Sequence, residues 1–132
     1  MNSPIKDIAD HLETSTDYVV GTDLFLSYLP EIDSEVICLF DTGGSAPDPN
    51  DIQNPVVSVM VRGIENGYQS AYELMNNILA ELHGMSNTVI NTASYLYIWK
   101  MTEIIHVGND RKMRPILSCT LRLSRLETDQ SS

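Results

Sequence analysis

The sequence is poor in cysteine and in long apolar runs, and each shortage excludes a class of protein. Its 132 residues include two cysteines, Cys38 and Cys119, which lie far apart and lack the paired spacing of a zinc or redox motif. Both are expected to be buried free thiols. No apolar run approaches the roughly 20 residues that span a bilayer, and residues 1–15 lack the pattern of a secretory signal. The sequence therefore predicts a single domain over residues 1–132, assembled in a reducing cytoplasm and without a membrane partner.

The motifs of catalysis and cofactor binding are also missing. Gly43 and Gly44 are followed by neither a lysine nor a helical pattern, so they do not form a phosphate-binding loop. The chain has no nucleophile elbow and no cluster of cysteine and histidine, and its histidines, His11, His83 and His106, are dispersed. We predict a protein that is not an enzyme and uses no cofactor or metal. An enzyme whose site is assembled only in space is the alternative.

Basic residues are scarce and unevenly placed. Eight lysines and arginines stand against 18 acids, for a formal net charge of −10. Residues 1–110 carry 16 of the acids but only three bases, whereas residues 111–125, RKMRPILSCTLRLSR, carry five bases and no acid. Those five are Arg111, Lys112, Arg114, Arg122 and Arg125. A surface this acidic repels phosphate backbones, so sequence-specific binding of nucleic acid is not expected. The basic segment is instead predicted to meet an acidic surface on another copy.

Helical periodicity occurs in two places. The first helix is predicted to begin after Ser3, a suitable cap, with Pro4 in its first turn and Asp7 near its positive dipole end. The second is predicted in NGYQSAYELMNNILAELHG, where apolar residues recur three and four positions apart and Gly84 provides a left-handed stop.

Strand patterns fill most of the remaining sequence. They occupy residues 23–29, 35–40 and 55–63, and after the second helix they return in VINTASYLYIWKM, TEIIHV and RPILSCTLRLSRL. An additional strand in the SYLYIWK region is an open alternative. The order predicts an α+β fold, with two helices packed on a mostly antiparallel sheet. Tyr95, Tyr97 and Trp99 are expected to share one face, which is a buried or interface face in preference to a platform for single-stranded nucleic acid.

Residues 41–51, DTGGSAPDPND, are predicted to form an exposed, flexible loop, because glycine and proline disfavour both helix and central strand. Asp41, Asp48 and Asp51 could offer oxygen ligands to calcium, but their spacing and the two prolines favour a loop that contacts a partner. Residues from about 127 to 132 are predicted to be a disordered tail.

Four stretches, taken in order, resemble a known family. They are the leading amphipathic helix, LPEIDSEVICLFDTGG, NPVVSVMVRGIENGYQSAYELMNNILAELHG and GNDRKMRPILSCTLRLSR. The chain resembles the tail terminator proteins of long-tailed bacteriophages, which are often labelled minor capsid proteins in phages of Gram-positive hosts. The Leu-Pro turn, the Asp-x-Gly-Gly segment, the strand ending in Arg-Gly and the closing Arg-Pro-led strand carry the likeness.

The resemblance implies a structural virion protein. Its subunits would form a hexameric ring on the last ring of tail-tube protein, stop polymerisation and present a surface to the neck or stopper protein, with no cofactor and no catalysis. Genomic DNA would pass through the lumen, where acids repel its phosphates. A head-to-tail connector or stopper, and a monomeric acidic adaptor or inhibitor of a host protein, are the alternatives.

Subunit and partner contacts are predicted for two sets of residues. The basic set is Arg62, Arg111, Lys112, Arg114, Arg122 and Arg125. The second set, in or next to the predicted loop, is Asp41, Gly43, Gly44, Asp48 and Asp51.

Overall fold

Two helices and seven strands make up the chain in a computed structural model, which describes residues 2–45 and 52–127. The helices are α1 (Pro4–Ser15) and α2 (Tyr68–Leu82). The strands are β1 (Leu24–Leu26), β2 (Val36–Ser45), β3 (Asn54–Arg62), β4 (Ser86–Ile90), β5 (Ala93–Lys100), β6 (Ile105–Asn109) and β7 (Pro115–Glu127). The predicted α+β class, with a mostly antiparallel sheet, is confirmed.

One sheet contains all seven strands, in the order β1-β2-β3-β7-β5-β4, with β6 also paired to β7. β1 is parallel to β2, and the other pairs are antiparallel. β7 is long enough for β6 and β5 to pair one after the other along the same edge, while β3 pairs along its opposite edge. As a result β1 and β6 lie at opposite edges of the sheet, separated by β2, β3 and β7.

The core lies between the helices and one face of the sheet. The Ser3 hydroxyl accepts a hydrogen bond from the Lys6 amide at 3.3 Å, which caps α1 as predicted. The inward side chains of β3 and β7 have no exposed surface: Val57, Val59, Val61, Leu117, Cys119, Leu121 and Leu123. Each such leucine or valine contributes about 1.5–3 kcal/mol by leaving water. Gly84 has a φ of +83°, as expected for the stop after α2.

The predicted loop at 41–51 is wrong in its first half, because β2 continues through Ser45. Its ladder with β3 shifts register between Asp41 and Gly44, and Gly44 then pairs with Pro55. Gly44 has a φ of +119°, and a Cβ placed there would lie 2.8 Å from the Pro55 Cα. Glycine therefore lets the two backbones approach and extends the strand. Residues 46–51 and 128–132 lie outside the described residues, together with the predictions made for them.

The segment after α2 folds as a hairpin, β4 and β5, which turns at Asn91. A bulge in β5 places Tyr95 opposite Arg125 but Tyr97 opposite Ser124. The prediction that Tyr95, Tyr97 and Trp99 share a face is therefore wrong for Tyr95, which is fully buried while Trp99 is 55% exposed. The extra residue in the bulge interrupts the two-residue alternation on which that prediction depended.

Candidate functional site

The five basic residues of segment 111–125 do not form one surface patch. Arg114 and Arg125 are buried, with 3% and 6% of their surfaces exposed, whereas Arg111, Lys112 and Arg122 are exposed. The long β7 strand and the turn before it distribute these side chains over different environments. Two buried clusters and one exposed set follow from this arrangement.

The Arg125 cluster joins α1 to β5 and β7 through buried side chains. Arg125 Nη1 donates to Asp7 Oδ2 at 3.2 Å, and its Nε donates to Gln53 Oε1 at 2.9 Å. The Tyr95 hydroxyl donates to the same Asp7 oxygen at 2.6 Å, and Asn91 Nδ2 donates to Asp7 Oδ1 at 2.7 Å. Asp7 is 1% exposed. Burial, together with the Asp7 carboxylate, raises the pKa of Tyr95, so this phenol stays protonated and keeps donating.

The Arg114 cluster joins the turn before β7 to residues 31–33, which precede β2. Arg114 Nε donates to Asp110 Oδ2 at 2.7 Å, Nη2 to Glu31 Oε1 at 2.9 Å, and Nη1 to the Ile32 carbonyl at 2.6 Å. Burial opposes the guanidinium charge, but the hydrogen bonds to Asp110 and Glu31 outweigh it and raise the pKa of Arg114. In return, the Arg114 guanidinium lowers the pKa of Glu31, which stays in solvent.

Arg62 belongs to the same cluster and is 3% exposed. Its Nη2 donates to the Ile32 carbonyl at 2.7 Å, while its buried Nε has no hydrogen-bond partner among the described residues. Burial lowers the pKa of Arg62, and the neighbouring positive charge of Arg114 lowers it further. Lys112, which is exposed, reaches Asp33 at 3.3 Å and Glu31 at 3.6 Å. The subunit contacts predicted for Arg62, Arg114 and Arg125 stay untested, but all three have partners inside their own chain.

Arg111 and Arg122 are the exposed cations of the segment that form no ion pair with the described residues. Arg122 lies between two buried leucines on β7, so it points away from the helices, directly across from Trp99. That side of the sheet has a small apolar cluster at one end, formed by Phe25, Val36 and Cys38. The region around Arg122 and Trp99 remains open to solvent.

The second predicted set lies partly on β2. Asp41, Gly43 and Gly44 are exposed there, while Asp48 and Asp51 fall outside the described residues. Within residues 2–45 and 52–127, no group of three or more histidine, cysteine or acidic side chains could hold a metal ion. The same ranges contain no helix that is long and apolar enough to cross a membrane.

Sequence reasoning missed the role of the buried acid Asp7. Its place in the first turn of α1 indicated a favourable interaction with the helix dipole, and its partners Tyr95 and Arg125 are far away along the chain. A signal that could have found it is the tyrosine in an otherwise aliphatic inward row, because a buried phenol needs a hydrogen-bond partner.

An exposed, partly apolar sheet surface is typical of a protein that binds other proteins. A family model described as bacteriophage tail terminator protein matches residues 11–126. The chain therefore belongs to the bacteriophage tail terminator family, and the predicted resemblance is confirmed. It is a structural protein of the phage tail, and the family places it in the virion. No curated protein sequence matches the chain.

Proposed function

We propose that this protein forms a hexameric ring at the head-proximal end of the phage tail tube. The ring stops polymerisation of the tube and joins it to the neck protein of the filled head, after assembly in the host cytoplasm. The observation that carries the proposal is the family match over residues 11–126, which covers α2, β1 to β6, all of β7 but its last residue, and the end of α1 from residue 11. A subunit that acts as a structural cap needs no catalytic residues.

The exposed cations support a ring of copies joined through unlike surfaces. Arg111 and Arg122 have no ion pair with the described residues, and Lys112 is held only by exposed acids. The acids of residues 1–110 outnumber the bases there by 16 to 3, so a neighbouring copy carries an excess of negative charge. Attraction between such surfaces fixes orientation and raises the association rate more than it raises affinity.

The same acidity suits a channel through which DNA passes. A wall rich in carboxylates repels phosphates, so the genome does not adhere to it and no specific sequence is bound. We assign a share of the 16 acids in residues 1–110 to the lumen or to the ring faces.

The test is the length of tail tubes. Tail-tube protein is allowed to polymerise with increasing amounts of this protein, and tube lengths are measured by negative-stain electron microscopy. The proposal predicts that tubes become shorter and stop growing as the protein is added. Tubes that keep growing at every ratio would contradict it. If the protein stops no tubes but binds the neck protein in the same preparation, it acts as a connector or stopper instead.

A matched pair of variants tests the role of the exposed cations. Arg122→Glu and Lys6→Glu each change the net charge by −2, and both side chains are exposed. Lys6 pairs with Asp10 on α1, whereas Arg122 points away from the helices. We expect Arg122→Glu to need roughly tenfold more protein to stop tubes, which corresponds to about 1.4 kcal/mol. Lys6→Glu should act like the unchanged protein.

A further inference from the structure

An open pocket of about 400 Å³ lies between β6, the start of α2 and the turn before β7. It is lined by Asn66, Tyr68, His106, Asn109, Met113 and Pro115. The rings of Tyr68 and His106 lie with their centres 5.0 Å apart, and Met113 is half exposed. An apolar cavity of about 150 Å³ already holds a benzene ring, so this pocket has room for two small aliphatic side chains.

Two exposed apolar side chains belong to the wall of this pocket. Tyr68 is 42% exposed and Met113 is 50% exposed, while Ile105 and Val107 of β6 are exposed but do not line the pocket. Scattered exposed apolar side chains are ordinary, but a pair at a concave site is typical of a contact surface. We call this surface the β6 pocket.

A turn with two exposed valines lies just before β1. Val19 and Val20 are 50% and 38% exposed. Their backbone is held in a fixed turn, because the Val19 amide donates to Asp23 Oδ1 at 2.6 Å and the Val20 amide donates to Glu13 Oε2 at 2.9 Å. The Val19 carbonyl also accepts from the Thr22 amide at 3.1 Å. A turn already ordered in this way loses little entropy on docking. We call residues 19–24 the valine turn.

The charges around the two surfaces are complementary. Residues 13–23 contain Glu13, Asp17 and Asp23 and no base, and Asp17 is exposed. Next to the β6 pocket, Arg111 is exposed and forms no ion pair with the described residues. Glu65 lines the adjoining hollow with Arg111 but does not pair with it. A second copy that brings Asp17 to Arg111 would satisfy both charges.

The two surfaces lie near opposite edges of one sheet, since the valine turn leads into β1 and the pocket is built on β6. A contact between two different surfaces of identical subunits generates a ring or a filament, and it leaves both surfaces of each subunit occupied when a ring closes. We infer that the valine turn of one copy docks in the β6 pocket of the next. This inference rests on the proposed ring and names the surfaces that close it.

Cysteine cross-linking tests the contact on assembled tubes. The double variant Val20→Cys, Met113→Cys is added to polymerising tail-tube protein and treated with a short bis-maleimide. Cys38 and Cys119 are buried and free, so they do not compete in the folded protein. We expect a ladder of linked copies on denaturing gels, with peptides joined through residues 20 and 113 identified by mass spectrometry.

A matched control separates the specific contact from chance encounters. Val20→Cys, Met101→Cys places the second thiol at a methionine of equal exposure, 51% against 50% for Met113, beside Thr120 on another part of the sheet. We expect at least tenfold less linked product from this control. Equal ladders from both variants, or no ladder from the first, would overturn the inference.

The outcomes of the two proposals can be told apart in the same sample. Tubes that stop growing without linkage through residues 20 and 113 would leave the ring proposal standing and overturn the docking contact. Linked copies on tubes that keep growing would support the contact and contradict the terminator role.

A charge exchange tests the pairing of Asp17 with Arg111 in the same cross-linking assay. Arg111→Glu alone should lower linkage about tenfold, and adding Asp17→Arg should restore most of it. No recovery in the double exchange would contradict the pairing of Asp17 with Arg111.

Discussion

The Arg125 cluster and the Arg114 cluster both bury an arginine, but they differ in where the carboxylates lie. Asp7 beside Arg125 is 1% exposed, whereas the side chains of Asp110, Glu31 and Asp33 beside Arg114 are 22%, 75% and 83% exposed. A buried pair costs a large desolvation penalty and is strongly destabilising when one partner is removed. A pair with one partner in solvent is screened and is worth less. The first cluster should therefore hold the fold together, and the second should hold residues 31–33 against the turn before β7.

The largest expected effect is that of Asp7→Ala. The change leaves the Arg125 guanidinium and the Tyr95 hydroxyl without their shared acceptor in the core. Loss of one member of a buried ion pair costs about 3–5 kcal/mol. Asp10→Ala on the same helix is the control, because its bonds to Lys6 and to Asn91 lie at the surface and their loss should cost less. Urea unfolding followed by circular dichroism measures the free energy of unfolding of both variants. Equal losses of that free energy would contradict the distinction between buried and exposed pairs.

The next effect is that of Arg114→Met, which keeps the apolar volume but removes the hydrogen bonds to Asp110, Glu31 and Ile32. Hydrogen bonds that involve a charged group contribute about 1.5–3 kcal/mol, so the loss should lie near or below this range and below that of Asp7→Ala. Lys112→Met is the control, since Lys112 is exposed and pairs with Glu31 at 3.6 Å and Asp33 at 3.3 Å, but its side chain does not pair with Asp110. The same unfolding assay applies. A cost for Lys112→Met as large as that for Arg114→Met would show that burial of the arginine contributes nothing.

A smaller effect is expected from pH. The pKa of Glu31 is lowered from 4.5 by the hydrogen bond and charge of Arg114, and that of Asp110 is lowered from 3.8 because its bonds to Arg114 outweigh burial. The unfolded chain therefore binds more protons than the folded chain as the pH falls below about 4.5, and stability declines there. The contribution of these groups is complete above that pH. Unfolding measured from pH 7 to pH 2.5 should show the gap between the unchanged protein and Arg114→Met narrowing below about pH 4.5. A constant gap would contradict the assigned pairs.

The smallest effect on stability is expected for Arg122→Ala. This side chain is exposed and forms no ion pair with the described residues, so the free energy of unfolding should change by no more than about 0.5 kcal/mol. Assembly should nonetheless weaken, because the same side chain is proposed to meet an acidic neighbour. Urea unfolding and tube length, measured on one preparation, separate the two. A loss of stability as large as that for Arg114→Met would place Arg122 among the structural arginines.

The regular elements could be predicted because their signals are local. Ser3, Pro4 and the apolar spacing defined α1, and the alternation of β3 and β7 identified the side chains that are fully buried. β2 was cut short in the prediction, since Gly43 and Gly44 are typical of loops and their role in a bulged ladder depends on the partner strand. The bulge in β5 likewise has no local signal.

The charge clusters could not be predicted for a related reason. Arg114 and Arg125 belong to the same alternating segment as Arg122, and the sequence does not show which of them meets a carboxylate inside the fold. Those carboxylates, Asp7 and Glu31, are brought near only by the packing of α1 and by the path of residues 31–33. Of the exposed bases, Arg111 and Arg122 form no ion pair with the described residues and are therefore available for the proposed contacts between copies.

The most direct test of the proposed function is the position of the protein on a tube. Protein carrying a gold-labelled tag at its N-terminus is mixed with polymerising tail-tube protein and imaged by electron microscopy. We expect label at one end of each tube, over a ring of added density, and no growth beyond that end. Label along the tube walls, or tubes that extend past the label, would contradict the account.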